Sequence, residues 1–308
     1  MTGSPPSEAV PTSIRLSLVI PAKDENDPKL KELLSSIRRQ DFPAQEMETL
    51  VITEGTSESA KAIGIKKAKG DVIGILASDN ELLEKGTLDR AYWLCRHGTE
   101  AVYPGWYHIS PNDNILNRYF SLMGGNDVLS FYMGKNDRWN FLSGIKWSKP
   151  GTSIGDNGFF IKKELIEKTD LNNYYHVDNA LEATKNGKLA GPFNYSIWHK
   201  TGGNIFSFFK KRYRYGLQHA FNPNRRWHLV ERTPRDIWKL FLFVFFSLTL
   251  VQPLCLSVRG YLKLRDKAWF MHPVVSLGTV FTYGILVCHL LGRSLIRSLS
   301  APMAARRA

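Results

Sequence analysis

The 308-residue chain has only three cysteines, Cys95, Cys255 and Cys288, and they share no metal-type spacing. That excludes a disulfide framework and a zinc-finger type of site, and it suits a reducing compartment. Acidic residues are scarce in the C-terminal third. Residues 200–308 hold 3 Asp/Glu against 18 Lys/Arg, whereas residues 1–199 hold 25 against 23. The net charge of +13 is therefore confined to one region and is no general coat for nucleic acid, so no nucleic-acid partner is expected. No basic start with an apolar run behind it opens the sequence, so no secretory signal is expected. No G-x-G-x-x-G follows the first apolar run, which sets aside a nicotinamide-dinucleotide fingerprint.

What is present alternates. Residues 1–13 (MTGSPPSEAVPTS) are small, polar and Pro-rich and read as a disordered leader. LSLVIPA (16–22) is a continuous apolar run, the pattern of a strand buried on both faces. Asp27-Pro28 reads as a helix cap and first turn, and Leu30, Leu33, Leu34 and Ile37 supply the apolar face. METLVIT (47–53) predicts a second strand, residues 59–69 a helix closed by Gly70, and DVIGILAS (71–78) a third strand. Residues 82–96 read as helix, AVYPGWY (101–107) as a strand and GFFIKKELIEK (158–168) as strand into helix. Residues 188–201 return as a strand ending at His199. The βαβα order predicts an α/β fold with a doubly wound, mostly parallel sheet over residues 14–202. Within it, residues 108–155 form a polar, loop-rich insert with one or two short helices. Asn126-Asp127, Asn136-Asp137, Tyr132, Trp139 and Trp147 in this insert suit a sugar-binding surface or ordinary turns.

The basic third carries the long apolar runs. Residues 203–218 place Ile205, Phe209, Tyr213 and Leu217 on one stripe with Lys210, Lys211 and Arg214 off it, which predicts an amphipathic helix in a membrane interface. That segment extends over 203–239. Leu240–Val258 and Ala268–Gly292 run 19 and 25 residues without a formal charge, so a hairpin of two membrane helices is expected over 240–292, kinked at Pro253. A hairpin that enters and leaves without crossing is the alternative. A basic tail, 293–308, follows, with Arg293, Arg297, Arg306 and Arg307. The lysines and arginines favour a cytoplasmic catalytic domain.

Polar clusters follow the three predicted strands: Lys23-Asp24-Glu25, Glu54-Gly55-Thr56-Ser57 and Ser78-Asp79-Asn80-Glu81. Strand ends of an open α/β sheet are where ligands bind. LSLVIPAKDEN, VITEGTSESA, AIGIKKAKGDVIGILASDNE and GDNGFFIKKEL resemble, in that order over residues 15–220, the family 2 glycosyltransferases of the GT-A fold. The resemblance implies inverting transfer of a sugar from a nucleotide sugar, helped by a divalent cation, Mg2+ or Mn2+. It implies donor contacts at Ala22, Asp24, Glu25, Glu54 and Asp79. Asp79 matches the last acid of the family's Asp-x-Asp metal motif, whose first acid is here Ala77, and His199 matches a histidine near the metal and diphosphate. Asp178 matches the catalytic base, with Asp156, Asn157 and His176 on the acceptor side. Arg212 and Arg214 match a basic stretch that suits a lipid phosphate. The expected acceptor is a saccharide on a polyprenyl diphosphate at the membrane. Alternatives are a polyprenyl-phosphate sugar synthase, whose anionic acceptor needs no base, and a membrane protein of this fold that binds but transfers nothing.

Overall fold

The computed structural model describes residues 13–135, 141–142, 154–184, 193–200, 203–222, 225–226, 228–231 and 233–304. The leader up to residue 12, Asn136-Asp137, Trp139, Trp147, Arg306 and Arg307 lie outside the described residues. In chain order the first elements are β1 (Leu16–Pro21), α1 (Pro28–Arg38), β2 (Met47–Ile52), α2 (Ser57–Lys67), β3 (Val72–Ile75), β4 (Asn80–Leu82) and α3 (Thr87–His97). Then come β5 (Ala101–Val102), β6 (Pro104–Tyr107), α4 (Ile115–Met123), α5 (Val128–Met133), β7 (Phe159–Lys162), α6 (Lys163–Ile166), α7 (His176–Ala183) and β8 (Phe193–His199). The chain closes with α8 (Ile205–Phe221), α9 (Pro234–Thr249), α10 (Val251–Lys263) and α11 (Met271–Ala304).

Contacts divide the chain into two units. The first runs through His108 and resumes at residues 154–200. Its main sheet has the order β2-β1-β3-β7-β5, with β1 parallel to β2 and β3, and β7 antiparallel to both β3 and β5. Side chains alternate between the faces. Leu16, Leu18, Ile20, Val72, Phe160 and Val102 join a core under α1 and α3, while Val19, Ile73, Ile75, Phe159 and Ile161 join a second core with α2, α6 and α7. The sheet is thus wound on both sides, as expected. Each fully buried branched or aromatic side chain contributes about 1.5–3 kcal/mol of transfer free energy, so the two faces together hold the sheet. A second sheet, β4-β8-β6, stands at the strand ends.

Local chemistry sets the entries. The Asp27 side chain accepts the Lys29 N–H at 2.9 Å, and Pro28 takes the first helical position of α1. Thr56 and Ser59 form a capping box on α2. Two segments depart from the sequence reading. Leu82, expected to open a helix over 82–96, instead ends strand β4, which pairs with β8, and helix begins only at Thr87, after Gly86. Local periodicity carries no trace of a partner more than a hundred residues away. AVYPGWY is not one strand: β5 belongs to the first sheet and β6 to the second. Pro104, which has no N–H to donate, stands at the change of sheet.

The second unit holds residues 109–135, 141–142 and those from 203 onward. The first part of the insert therefore packs with the C-terminal helices. Leu116, Phe120, Leu129, Phe208, Phe243 and Trp269 share its core. Arg118 grips Asp266 with two hydrogen bonds, at 3.0 and 2.5 Å. His272 sits between the hydroxyls of Tyr119, at 2.7 Å, and Tyr132, at 3.2 Å. Asp127 caps α5 and accepts the Tyr283 hydroxyl at 2.6 Å. The polar insert residues Asp127 and Tyr132 thus serve this unit's own packing.

The membrane expectations are corrected here. Lys267–Arg293, 27 residues, is long and apolar enough to cross a bilayer by length and composition, and it is the single continuous helix among the described residues that is. The other expected span is broken: α9 and α10 meet at a bend of 81°. In a continuous helix the Pro253 ring would collide with the carbonyl of Thr249, so the helix stops upstream, and Leu250 takes a left-handed φ of 59°. The stripe expected to face lipid on α8 packs on protein. Tyr213 hydroxyl and His289 Nδ1 are 2.7 Å apart, and the Phe209 ring lies where a Cβ on Gly278 of α11 would stand.

Gly158 ties β7 to the second sheet. Its φ is +79°, and a Cβ there would overlap Ile197 and touch Pro104 at 3.3 Å. Gly158→Ala combines left-handed strain with overpacking and is expected to cost about 2–4 kcal/mol. A urea midpoint that does not move would disprove this junction.

Candidate active site

Because β2, β1 and β3 are neighbours and parallel, their C-terminal ends share one edge; Pro21 is level with Ile52, and Val19 with Ile75. The three polar clusters of the sequence therefore stand side by side. Ala22 N–H donates to the Ile52 carbonyl at 2.9 Å. Asp24 Oδ1 accepts the Asn26 N–H at 2.8 Å, closing an Asx turn. Asp24, Glu25 and Glu54 are exposed on this edge. Gly55, with φ +77°, turns the chain from Glu54 into α2.

After β3 the chain makes a tight turn at Ala77-Ser78-Asp79-Asn80. Asn80 N–H donates to the Ala77 carbonyl at 3.0 Å, and Asn80 Oδ1 accepts the Ala77 N–H at 2.9 Å. An amide thus holds the turn that carries no carboxylate at position 77. Buried Asn80 donates to Asn157 Oδ1 at 3.1 Å, and Asn157 donates to the Tyr107 hydroxyl at 3.0 Å. The Tyr107 ring lies 5.2 Å from that of His199. Pairing of β4 with β8 brings Asp79 to His199: Lys200 N–H donates to the Asp79 carbonyl at 2.8 Å, and His199 Nε2 is 3.3 Å from Asp79 Oδ1. Lys200 Nζ is 2.6 Å from both Glu32 and Glu81 and lies over the Trp198 ring. These two glutamates fix the end of β8.

Asp79 and His199 offer one carboxylate and one imidazole, and Ala77 adds no ligand. Among the described residues no three His, Cys, Asp or Glu side chains gather as a metal cluster. Two side-chain ligands fit a hard cation that takes its other ligands from a diphosphate and water. They do not fit a cage built wholly from protein.

Behind this edge lies a charge cluster. Lys61 is 1% exposed. Its Nζ stands 3.0 Å from Glu58 Oε1 and 2.5 Å from Asp156 Oδ2. Glu58 also accepts the His176 N–H at 2.8 Å, and His176 Nδ1 meets the Tyr174 hydroxyl at 3.1 Å. Burial would neutralise Lys61, but Asp156 and Glu58 outweigh it and hold the ammonium above its ordinary value. Burial likewise pushes the Asp156 carboxyl up, and Lys61 overcomes this and holds it well below the usual carboxylate range. Burial, then the Lys61 charge, lower His176 below its ordinary 6.5, against Asp156, Glu58 and the Gly155 backbone, which favour the charged ring. Asp156 is thus the counter-ion of Lys61, and Asn157 is a buried support for Asn80. Asp178 is buried in the first turn of α7, two residues after His176. Arg212 and Arg214 belong to the second unit. Arg212 lies 4.0 Å from Asp127 and over the Phe208 ring, whereas Arg214 is exposed.

Lys61, Glu58, Lys200 and Tyr107 are absent from the sequence reading. One signal pointed to Lys61: it is in phase with Ile65 and Ala68, a charge on the apolar face of α2. No such signal marks Tyr107 or Lys200.

No protein-family profile and no curated protein matches the sequence. Among solved structures the chain is similar to the mannosyltransferase PcManGT from Pyrobaculum calidifontis, solved in complex with GDP-Man and Mn2+. Identity is 14%, coverage is 87% of this chain and 86% of that one, and the TM-score is 0.50. It is also similar to S. aureus TarS, at 12% identity over 86% of this chain and 54% of that chain, with a TM-score of 0.43. Against TarS 1-349 in complex with UDP the TM-score is 0.42, at 12% identity over 86% of this chain and 89% of that one. At such identity the likeness to PcManGT is one of fold.

Lys61→Met leaves the partly exposed Asp156 without its counter-ion and is expected to destabilise the protein by about 1–3 kcal/mol, and adding Asp156→Asn restores part of that loss. Equal melts of the single and double variants would refute the coupling. Because His176 titrates lower in the folded chain than in the unfolded one, acid favours unfolding. Its contribution is complete above about pH 6.5 and declines below it, by up to about 1.4 kcal/mol per pH unit. Denaturant melts at pH 7 and pH 5 should differ less in His176→Gln than in the parent; an identical difference refutes the assignment.

Proposed function

We propose that the chain is an inverting glycosyltransferase of the family 2 type, moving a sugar from a nucleotide-sugar donor to a polyprenyl-linked saccharide at the cytoplasmic membrane face. One observation carries this reading: carboxylates stand at three adjacent strand ends, the third of them Asp79 beside His199, on the fold of a mannosyltransferase solved with GDP-Man and Mn2+. Ala22, Asp24, Glu25 and Glu54 then surround the nucleoside. Asp79 and His199 face the diphosphate and hold a divalent cation, Mg2+ or Mn2+, which neutralises charge on the leaving group.

Asp178 is the base in this reading. It takes the proton of an acceptor hydroxyl as the oxygen attacks the anomeric carbon. The new C–O bond forms while the bond to the diphosphate breaks, and the nucleoside diphosphate leaves with the electron pair. Attack from the opposite face inverts the anomeric centre. Asp156, Asn157 and His176 support the acceptor side, and Arg212 and Arg214 meet a lipid phosphate. Lys267–Arg293 and the exposed apolar faces of α9 and α10 support a membrane location. Ala77 favours a second reading, a protein of this fold that binds a nucleotide sugar and transfers nothing.

Nucleoside diphosphate release by detergent-purified protein, screened over nucleotide sugars with Mn2+ or Mg2+, separates these readings. Asp79→Asn and Asp178→Asn are each expected to lower release onto lipid-diphosphate saccharides about 10²-fold or more. Full activity in both variants sinks the assignment. Release onto bare polyprenyl phosphate that survives Asp178→Asn identifies a lipid-phosphate sugar synthase. Nucleotide binding without release onto any acceptor identifies the non-transferring protein.

A further inference from the structure

Helices α9 and α10 reverse the pattern of a soluble pair. Each buries part of one face in its unit, through Phe243 and Ser247 on α9 and Ser257 and Gly260 on α10. The opposite faces are exposed and apolar. On α9 they present Trp238, Phe241, Phe245 and Leu248, each about half exposed, at helical spacing. On α10 they present Val251, Leu254, Val258 and Leu262, at the same spacing. Exposed apolar faces of this extent need a cover.

Charge and length say which cover fits. Arg235 and Lys239 stand at the outer end of α9, and Arg259, Lys263 and Arg265 at and beyond the outer end of α10. Between them residues 240–258 are uncharged. At a rise of 1.5 Å per residue, the uncharged limb before Leu250 is about 15 Å long and the one after it about 12 Å. With a bend of 81° between them, the two limbs reach only about 20 Å from end to end. The hydrocarbon core is about 30 Å thick, so the bent pair is too short to cross it; with both ends at one face its apex reaches about 9 Å deep, within one leaflet. A crossing would also put a basic cluster on each side of the membrane, against the usual bias, whereas a wedge puts both in one headgroup layer. At the apex, Thr249 Oγ1 donates to the Phe245 carbonyl at 3.0 Å, so this hydroxyl carries its hydrogen bond with it into lipid.

We infer that α9 and α10 form a re-entrant wedge, seated in one leaflet of an anionic bilayer with Leu250 at its apex and both basic ends on the same face. The inference rests on the membrane location proposed above and adds that the first apolar run is an anchor and not a span. Lys239 donates to the Met133 carbonyl and Lys263 to those of Phe141 and Leu142, so the wedge draws its hold from apolar burial at the apex and from lipid phosphates at the exposed Arg235, Arg259 and Arg265.

Single cysteines in the full chain test this. In a Cys255→Ser, Cys288→Ser background, with buried Cys95 kept, cysteines are placed by Arg226→Cys, Leu248→Cys and Arg265→Cys. Sealed membrane vesicles are treated with a membrane-impermeant maleimide, with and without detergent. Arg226→Cys and Arg265→Cys are expected to label alike, within about twofold, under both conditions, and Leu248→Cys at least tenfold more slowly in intact vesicles. Labelling of one flank only after permeabilisation overturns the wedge in favour of a span. Leu248→Cys labelling as fast as the flanks overturns it in favour of a helix outside lipid. Release of the protein from vesicles by alkaline carbonate overturns the membrane location itself, a failure distinct from the other two.

Discussion

The ammonium of Lys61 is the group on which the first unit's architecture turns. It is sealed from water and held between Glu58, on its own helix, and Asp156, at the head of β7. Charges buried in this way are tolerated only in pairs. The pairing fixes where β7 begins relative to α2, and the Glu58 carboxylate extends the same restraint to the first residue of α7. Asn157 and Gly158 follow at once, and through them the second sheet is set against the turn at Ala77–Asn80. A structural ion cluster thus lies directly behind the polar edge and orients it.

The edge itself is built from backbone and amides more than from carboxylates. Asn80 closes the turn that carries Asp79, and β8 carries His199 to it. This division of labour explains how the turn keeps its shape with alanine at position 77. The shape depends on hydrogen bonds within the turn and on the amide chain to Tyr107, none of which requires an acid at its first position.

The sequence was most readable where elements bury both faces. The runs at 16–22, 47–53 and 71–78 all become strands, and Asp27-Pro28 opens α1 as its chemistry requires. Strand-end clusters were legible because parallel neighbours must end on one edge. What could not be read depended on distant partners. β4 exists because β8 lies beside it, and the stripe on α8 met a helix sixty or more residues further along and not a lipid surface. An amphipathic pattern states that a face is buried, not what buries it. The break at Leu250 was half legible. Pro253 announced it, but a proline acts on the carbonyl four residues before it, so the bend stands upstream of its cause.

The position of β7 also bears on how the chain is made. β3 lies inside the finished sheet, yet its partner on one side, β7, is encoded far downstream: Ile75 pairs with Phe159. At about 5–20 residues per second, a ribosome needs roughly 4–17 s to pass from one strand to the other. Until β7 has been made, the side of β3 that it will pair has no partner for its backbone N–H and C=O groups. The helices that follow in the second unit expose more apolar surface still. Vectorial synthesis thus leaves an unpaired strand waiting on one unit while the next begins, and a chaperone or a nearby membrane has seconds in which to act on it.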